Sequence, residues 1–223
     1  MPLLRLQSLS LERGGRAVVR SLSGEIAPGT LTAVVGPNGA GKSTLVEALA
    51  GRLAPREGRM ERRAGLRVAH LPQQSALDRQ FPIRVGDVVA LGAWSRIGLW
   101  KALGGGLRRE VDEALAAVGL LGCAQRPISD LSVGQFQRVL FARLLLQDAD
   151  LILLDEPFNA VDEATTADLM ALMQRWRDQG RAVVAVLHDQ AQVRASFDRV
   201  CQLDGRGRWS WGTTTEVLAA CAA

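Results

Sequence analysis

Nine consecutive residues, Gly36, Pro37, Asn38, Gly39, Ala40, Gly41, Lys42, Ser43 and Thr44, constrain this chain more than any other feature. They fit the pattern G-x-x-x-x-G-K-[ST]. Before them stands a continuous apolar run, LTAVV (31–35), of the kind found in a strand buried on both faces. After them comes KSTLVEALA, a short helix that Gly51 closes. Strand, glycine loop and helix together make an anion site. The glycines let backbone N–H groups curl around phosphate oxygens, and the helix turns its positive end toward the same anion. Lys42 then reaches the β and γ phosphates of a nucleotide, and the Ser43 hydroxyl can ligate Mg²⁺. With average glycine usage of about 7%, such an octet arises by chance in roughly one chain in a hundred of this length.

The surrounding pattern alternates strands with helices. Half-alternating segments at 4–11 and 17–22, split by Gly14 and Gly15, predict an antiparallel hairpin. LRVAHL (66–71), LILL (151–154) and AVVAVL (182–187) read as further strands. Between about 80 and 130 the character changes to short helical stretches, VGDVVALGAW and REVDEALAAVGLL, joined by KALGGGL. This predicts a small helical subdomain, continued by a helix over 132–147. Residues 162–179 form an amphipathic helix with Leu169, Leu172, Met173 and Trp176 on one stripe and Gly180 at its end. A last hairpin turns at 204–207, and Thr213 with Glu216 makes a capping box for a final helix. The fold class is α/β with a mainly parallel sheet.

At 223 residues the chain holds one domain, or one with a sizeable insertion. Its 48% hydrophobic and 22% charged residues exclude disorder and fibre. The net charge of +4 comes almost wholly from arginine, Lys42 and Lys101 being the only lysines. No arginine cluster is interleaved with aromatics, so no nucleic-acid partner is expected. No apolar run approaches the roughly 20 residues of a membrane span, and the first 15 residues lack a signal-peptide core. A cytoplasmic chain is expected. Cys123, Cys201 and Cys221 show no C-x-x-C spacing and suit reduced thiols. With His70 and His188 they are too scattered for a zinc site.

Acids and a histidine stand where the strands end. LILL delivers Asp155 and Glu156, AVVAVL delivers His188, and LRVAHL leads to Gln73. In open parallel sheets ligands gather beyond the carboxyl ends of the strands. Asp155 suits Mg²⁺, Glu156 can orient or deprotonate a water that attacks the γ phosphate, and Gln73 is placed to sense metal and water. His188 can contact the γ phosphate.

LSVGQ, with Leu131, Ser132, Val133, Gly134 and Gln135, precedes the helix over 136–147, and Ser132 with Gln135 makes a capping box. A capped helix start beside a glycine is also an anion site. The order of phosphate loop, LSVGQ followed by FQRVLFARLL, Asp155-Glu156 and His188 resembles the ATP-binding subunits of ABC transporters over essentially the whole chain. That resemblance implies a single ABC ATPase domain over 1–223: a RecA-like core with an N-terminal antiparallel part and a helical subdomain inserted at about 80–147. It also implies ATP and Mg²⁺ as cofactors and a head-to-tail homodimer. Ser132, Gly134 and Gln135 of one subunit would close over the ATP held by Lys42 of the other. Asp155 becomes the Mg²⁺ acid, Glu156 the catalytic base, Gln73 the glutamine at the joint and His188 the switch histidine. Asn159, Ala160, Val161 and Asp162 take the place of the loop that crosses the dimer interface.

Two positions depart from the family pattern. Val133 stands where glycine is usual, so that the backbone there cannot adopt positive φ freely. Arg13 stands where an aromatic, often tyrosine, stacks on adenine, and the chain has no tyrosine; a guanidinium can stack on a base as well. LPQQSALDRQFPIRVGDVVALG and the stretch from LSVGQ to DEAT look most like the ATPases of bacterial zinc and manganese importers. Iron–siderophore and cobalamin importers are near relatives, and a soluble, non-transport ABC ATPase is the other alternative. The importer expectation brings integral membrane permease subunits, a periplasmic or extracellular solute-binding protein, and a peripheral place on the inner face of the membrane. Trp94, Ile97, Leu99 and Trp100 are expected either to meet a permease helix or to pack within the subdomain.

Overall fold

The computed structural model describes residues 1–73, 79–97 and 105–219. The chain divides into two compact units: Met1–Gln73, Asp150–Pro157 and Met173–Ala223 form the first, and Gln74–Ala149 with Phe158–Leu172 the second.

The first unit is built on a six-stranded sheet. Its strands are β3 (Leu31–Val35), β5 (Val68–Leu71), β6 (Leu151–Asp155), β7 (Ala182–Val186), β8 (Arg199–Leu203) and β9 (Trp209–Thr213), in the order β5-β6-β7-β3-β8-β9. All neighbours run parallel except β8 and β9, the expected C-terminal hairpin. The strands β3, β6 and β7 are buried at every position, which explains their unbroken apolar sequences. Their register matters most. Val34 of β3 and Asp155 of β6 both pair with Val186 of β7, and Leu71 of β5 pairs with Leu154. Four chain segments therefore leave the sheet along one edge.

A second sheet in this unit, ordered β2-β1-β4, is antiparallel: β1 (Leu4–Arg13), β2 (Arg16–Ile26) and β4 (Glu57–Arg62). Its ladder is broken by bulges. Ser8 and Ser21 take positive φ there, and each backbone N–H finds a serine hydroxyl instead of a strand partner: Ser8 N–H donates to Ser23 Oγ at 2.9 Å and Ser21 N–H to Ser10 Oγ at 3.1 Å. Opposite Ser8, Gly58 has no room for a side chain, since a Cβ would lie 2.3 Å from Ser8 O. Strand β4, EGRMER, escapes a pattern reading because only Met60 is turned inward. The two sheets meet through tryptophans: Trp209 Nε1–H donates to Arg20 O at 3.0 Å, and the Trp211 ring lies flush against Gly24.

The helix α1 (Lys42–Leu49) packs its buried residues Leu45, Val46, Ala48 and Leu49 into the core of this unit. Two short helices close it, α7 (Gln190–Ser196), which Asp189 caps, and α8 (Thr214–Ala219), whose Thr213–Glu216 capping box is formed. The seven residues of α7 carry too short a repeat to stand out in sequence, and β5 begins at Val68, two residues after the apolar run does.

The second unit is helical. It contains α2 (Val85–Ala90), a 3-10 turn at Leu91–Ala93, α3 (Trp94–Ile97), α4 (Gly105–Ala117), a second 3-10 turn at Ile128–Asp130 and α5 (Val133–Gln147). The long helix α6 (Glu163–Asp178) starts in this unit and ends in the first. Leu169, Leu172, Met173 and Trp176 are all buried, as its stripe requires. Trp94 is 58% exposed, as is Phe81. Leu99, Trp100 and the side chain of Ile97 lie outside the described residues. Cys123 and Cys201 are free thiols. Among the described residues no helix is long and apolar enough to cross a membrane.

The Gly24–Trp211 contact yields a test. A Cβ at Gly24 would fall 2.7 Å from Trp211 Cδ2, so Gly24→Ala is expected to cost about 1–3 kcal/mol in urea unfolding. Most of that loss should vanish when Trp211→Ala is added, in a double-mutant cycle.

Candidate nucleotide site

The phosphate loop follows β3 directly. Gly36 has φ 149, and a Cβ on it would lie 2.3 Å from Leu203 O, so the turn out of the sheet admits no side chain. Gly41 starts α1 with φ 97 and no side-chain cap, which leaves the helix's first N–H groups for an anion. Val18 of β2 presses on Gly41, 3.0 Å from where its Cβ would be. Lys42 is only 6% exposed and folds back into the loop, its ammonium donating to Gly36 O at 2.9 Å and Pro37 O at 3.0 Å. Burial pushes the Lys42 ammonium below its ordinary range, against the opposing fields of Glu156 and Asp155.

Asp155 and Glu156 leave β6 one residue apart and do different things. Asp155 is 5% exposed. Burial pushes its carboxyl up; a hydrogen bond from Ser43 pulls it down, the fields of Glu156 and Glu47 raise it, and Lys42 lowers it, the net shift being upward. Its Oδ1 is buried without a hydrogen-bond partner among the described residues. An orphaned carboxylate oxygen next to a serine hydroxyl at a phosphate loop is a donor set that fits Mg²⁺. Among the described residues no three His, Cys, Asp or Glu side chains cluster to hold a metal alone, so such an ion would draw on Ser43, Asp155 and ligand oxygens.

Glu156 is held from both sides. Gln73 Nε2 donates to its Oε2 at 2.7 Å, and His188 Nε2 lies 2.9 Å from its Oε1. Both carboxylate oxygens only accept, so the hydrogen of this second contact sits on His188 Nε2. The Glu156 backbone has φ 52, an uncommon region for a residue other than glycine. Such strain persists only where surroundings over-determine it, and it concentrates at functional sites. Four residues singled out from strand ends, Asp155, Glu156, His188 and Gln73, thus come together beside Lys42 and Ser43 within one unit.

Arg13 ends β1 in this unit and is ion-paired with Glu47 of α1, one turn beyond Ser43. Nothing in the sequence marked Glu47 beyond its being an acid on a helix. In the other unit Ser132 caps α5. Its hydroxyl accepts from Gln135 N–H at 3.2 Å, and Gln135 Oε1 accepts from Ser132 N–H at 3.2 Å, the reciprocal box foreseen. Val133 is the first helical residue of α5 and does not have positive φ. The missing glycine therefore carries no backbone penalty. Gly134 beside it is buried against Asp162 and Thr165; the part played by Thr165 was not foreseen.

The family described as ABC transporter matches residues 19–159. The chain is 38% identical over 208 residues to a manganese transport system ATP-binding protein of Listeria monocytogenes, spanning 90% of this chain and 86% of that one. It is 39% identical over 212 residues to a zinc transport system ATP-binding protein of Treponema pallidum, spanning 91% and 79%. Among solved structures it matches, with a TM-score of 0.89 and 28% identity, an ABC transporter assigned to the metal-chelate type in an inward-facing conformation, covering 98% of this chain and 86% of that chain. By its phosphate loop, its strand-end acids and these likenesses, the chain belongs to the ABC transporter family, among its ATP-binding subunits.

Proposed function

We propose that the chain is the ATP-hydrolysing motor of a bacterial importer for manganese or zinc, working as a head-to-tail homodimer beneath membrane permease subunits that a solute-binding protein supplies. The observation that carries the ATPase is the Glu156 carboxylate, fixed between Gln73 and His188 one residue from Asp155. The cargo rests on the names of the manganese and zinc relatives.

The residues divide the work. Loop N–H groups from Gly36, Asn38, Gly39, Ala40 and Gly41, with Lys42, Ser43 and Thr44, take the phosphates, while Pro37, which has no N–H, stiffens the loop. Lys42 exchanges its two carbonyl partners for phosphate oxygens. Ser43 and Asp155, with Gln73 nearby, would hold Mg²⁺, whose charge would offset that of the β and γ phosphates. Glu156 accepts a proton from the water that attacks the γ phosphate, while Gln73 and His188 keep its two oxygens aimed. Arg13, anchored at one edge by Glu47, offers the flat face of its guanidinium to the base. Ser132, Gly134 and Gln135 of the partner subunit close over the γ phosphate. Closure with ATP and release after hydrolysis form a two-state element that can move a permease. The exposed Phe81 and Trp94 of the helical unit are the surface offered to it.

Three outcomes test this. Glu156→Gln keeps the shape but removes the base and turns one of the two acceptor oxygens into a donor; hydrolysis should fall by about 10²–10³-fold, and light scattering with Mg-ATP should show a dimer. A monomer alone would remove the head-to-tail pairing. Arg13→Ala should weaken ATP binding about two- to fivefold, the scale of an exposed cation–π contact, and an unchanged affinity would exclude stacking. In cells, Lys42→Ala at the native locus should lower manganese or zinc content selectively when that metal is scarce, with recovery on adding it. A selective iron defect would point to siderophore cargo, and unchanged contents of all three would point away from metal import.

A further inference from the structure

The stretch 159–162 ends in a cap whose parts come from three places in the sequence. Asp162 Oδ1 accepts from Thr165 N–H at 2.8 Å, and Asp162 Oδ2 accepts from the Thr165 hydroxyl at 2.9 Å. These two bonds start α6. The same hydroxyl oxygen accepts from Arg138 Nη2 at 3.3 Å. Its hydrogen is thus committed to Asp162 and a lone pair to the guanidinium. Thr165 is 5% exposed. Arg138 is itself held on two more sides, by Asp168 Oδ2 at 2.7 Å and by Val118 O at 3.2 Å.

Four residues before Arg138 on α5, the backbone of Gly134 rests on this cap. A Cβ there would lie 3.2 Å from Asp162 Oδ2 and 3.2 Å from Thr165 Oγ1. One buried hydroxyl therefore joins the turn bearing Ser132, Gly134 and Gln135 to the stretch 159–162. That stretch needs the support, because Ala160 within it has φ 57. All of these groups belong to the helical unit.

We propose that Thr165 is a positioning residue for ATP hydrolysis: its hydroxyl, fixed by Arg138, locks the 159–162 stretch to the Ser132–Gly134–Gln135 turn, so that both meet the partner subunit's nucleotide at one spacing. The proposal rests on the head-to-tail pairing set out above. A purely structural cap would lower stability and leave turnover per folded molecule untouched, whereas a positioning role shows in kcat.

The test uses the full chain with Thr165→Val, which keeps the shape and loses the hydroxyl bonds, and Thr165→Ser, which keeps the hydroxyl. The Val variant should turn over about tenfold more slowly, with KM for ATP within about twofold of the unaltered chain, because the phosphate loop belongs to the other unit. The Ser variant should recover kcat to within about twofold. A Val variant with unaltered kcat, or a Ser variant as slow as Val, overturns the proposal. Failure of the pairing shows elsewhere, in an unaltered chain whose specific activity does not rise with its own concentration.

Discussion

Val186 has Val34 on one side and Asp155 on the other, and this shared neighbour fixes where everything else in the nucleotide site can be. Three parallel strands aligned at their carboxyl ends release the phosphate loop, the Asp155-Glu156 pair and His188 along one edge, and β5 adds Gln73 there through Leu71 and Leu154. A one-residue slip of β6 would turn Asp155 to the opposite face and carry Glu156 away from both of its partners. The fully buried apolar character of these strands resists that slip. The same residues that make the core thus set the spacing of the chemistry, and side chains hardly exposed at all, such as Lys42 and Asp155, are part of both.

Electrostatics explains why the site is built around so much negative charge and so little positive. Glu156, Asp155 and Glu47 all lie near enough to Lys42 or to one another to shift pKa values, and Arg13 is already bound to Glu47. Adding a triphosphate to two carboxylates needs more positive charge than one ammonium gives. The helix end and loop N–H groups supply part of it without any ionisable group. The orphaned Oδ1 of Asp155 is a buried carboxylate oxygen beside that loop which a cation would suit. His188, half exposed and in hydrogen-bond contact with Glu156, stands at the same edge of the sheet.

How far the sequence carried differs from element to element for physical reasons. The buried strands and the acids after them were legible because a short unbroken apolar run marks a strand buried on both faces, and the next polar residue falls at its end. Strand β4 was not, since its ladder partner β1 supplies the order and its own side chains face water. The box at Ser132 and Gln135 could be read from local spacing. The pairing of Arg13 with Glu47 could not, because 34 residues separate them. Arg138 and Thr165, 27 residues apart, were equally hidden.

The motif at 132–135 shows why a consensus glycine is not one kind of requirement. Val133 stands without backbone strain because it opens a right-handed helix, and its side chain is 45% exposed. Gly134 also needs no unusual torsion, yet an added methyl there would press on an aspartate and a threonine already hydrogen-bonded to each other. At 133 the backbone asks for no torsion that valine lacks. The glycine at 134 is required by space, and the groups that demand the space are those that shape the neighbouring stretch. A departure at 133 therefore leaves the motif's geometry intact, whereas one at 134 would be felt first at Asp162 and Thr165, before any nucleotide is bound.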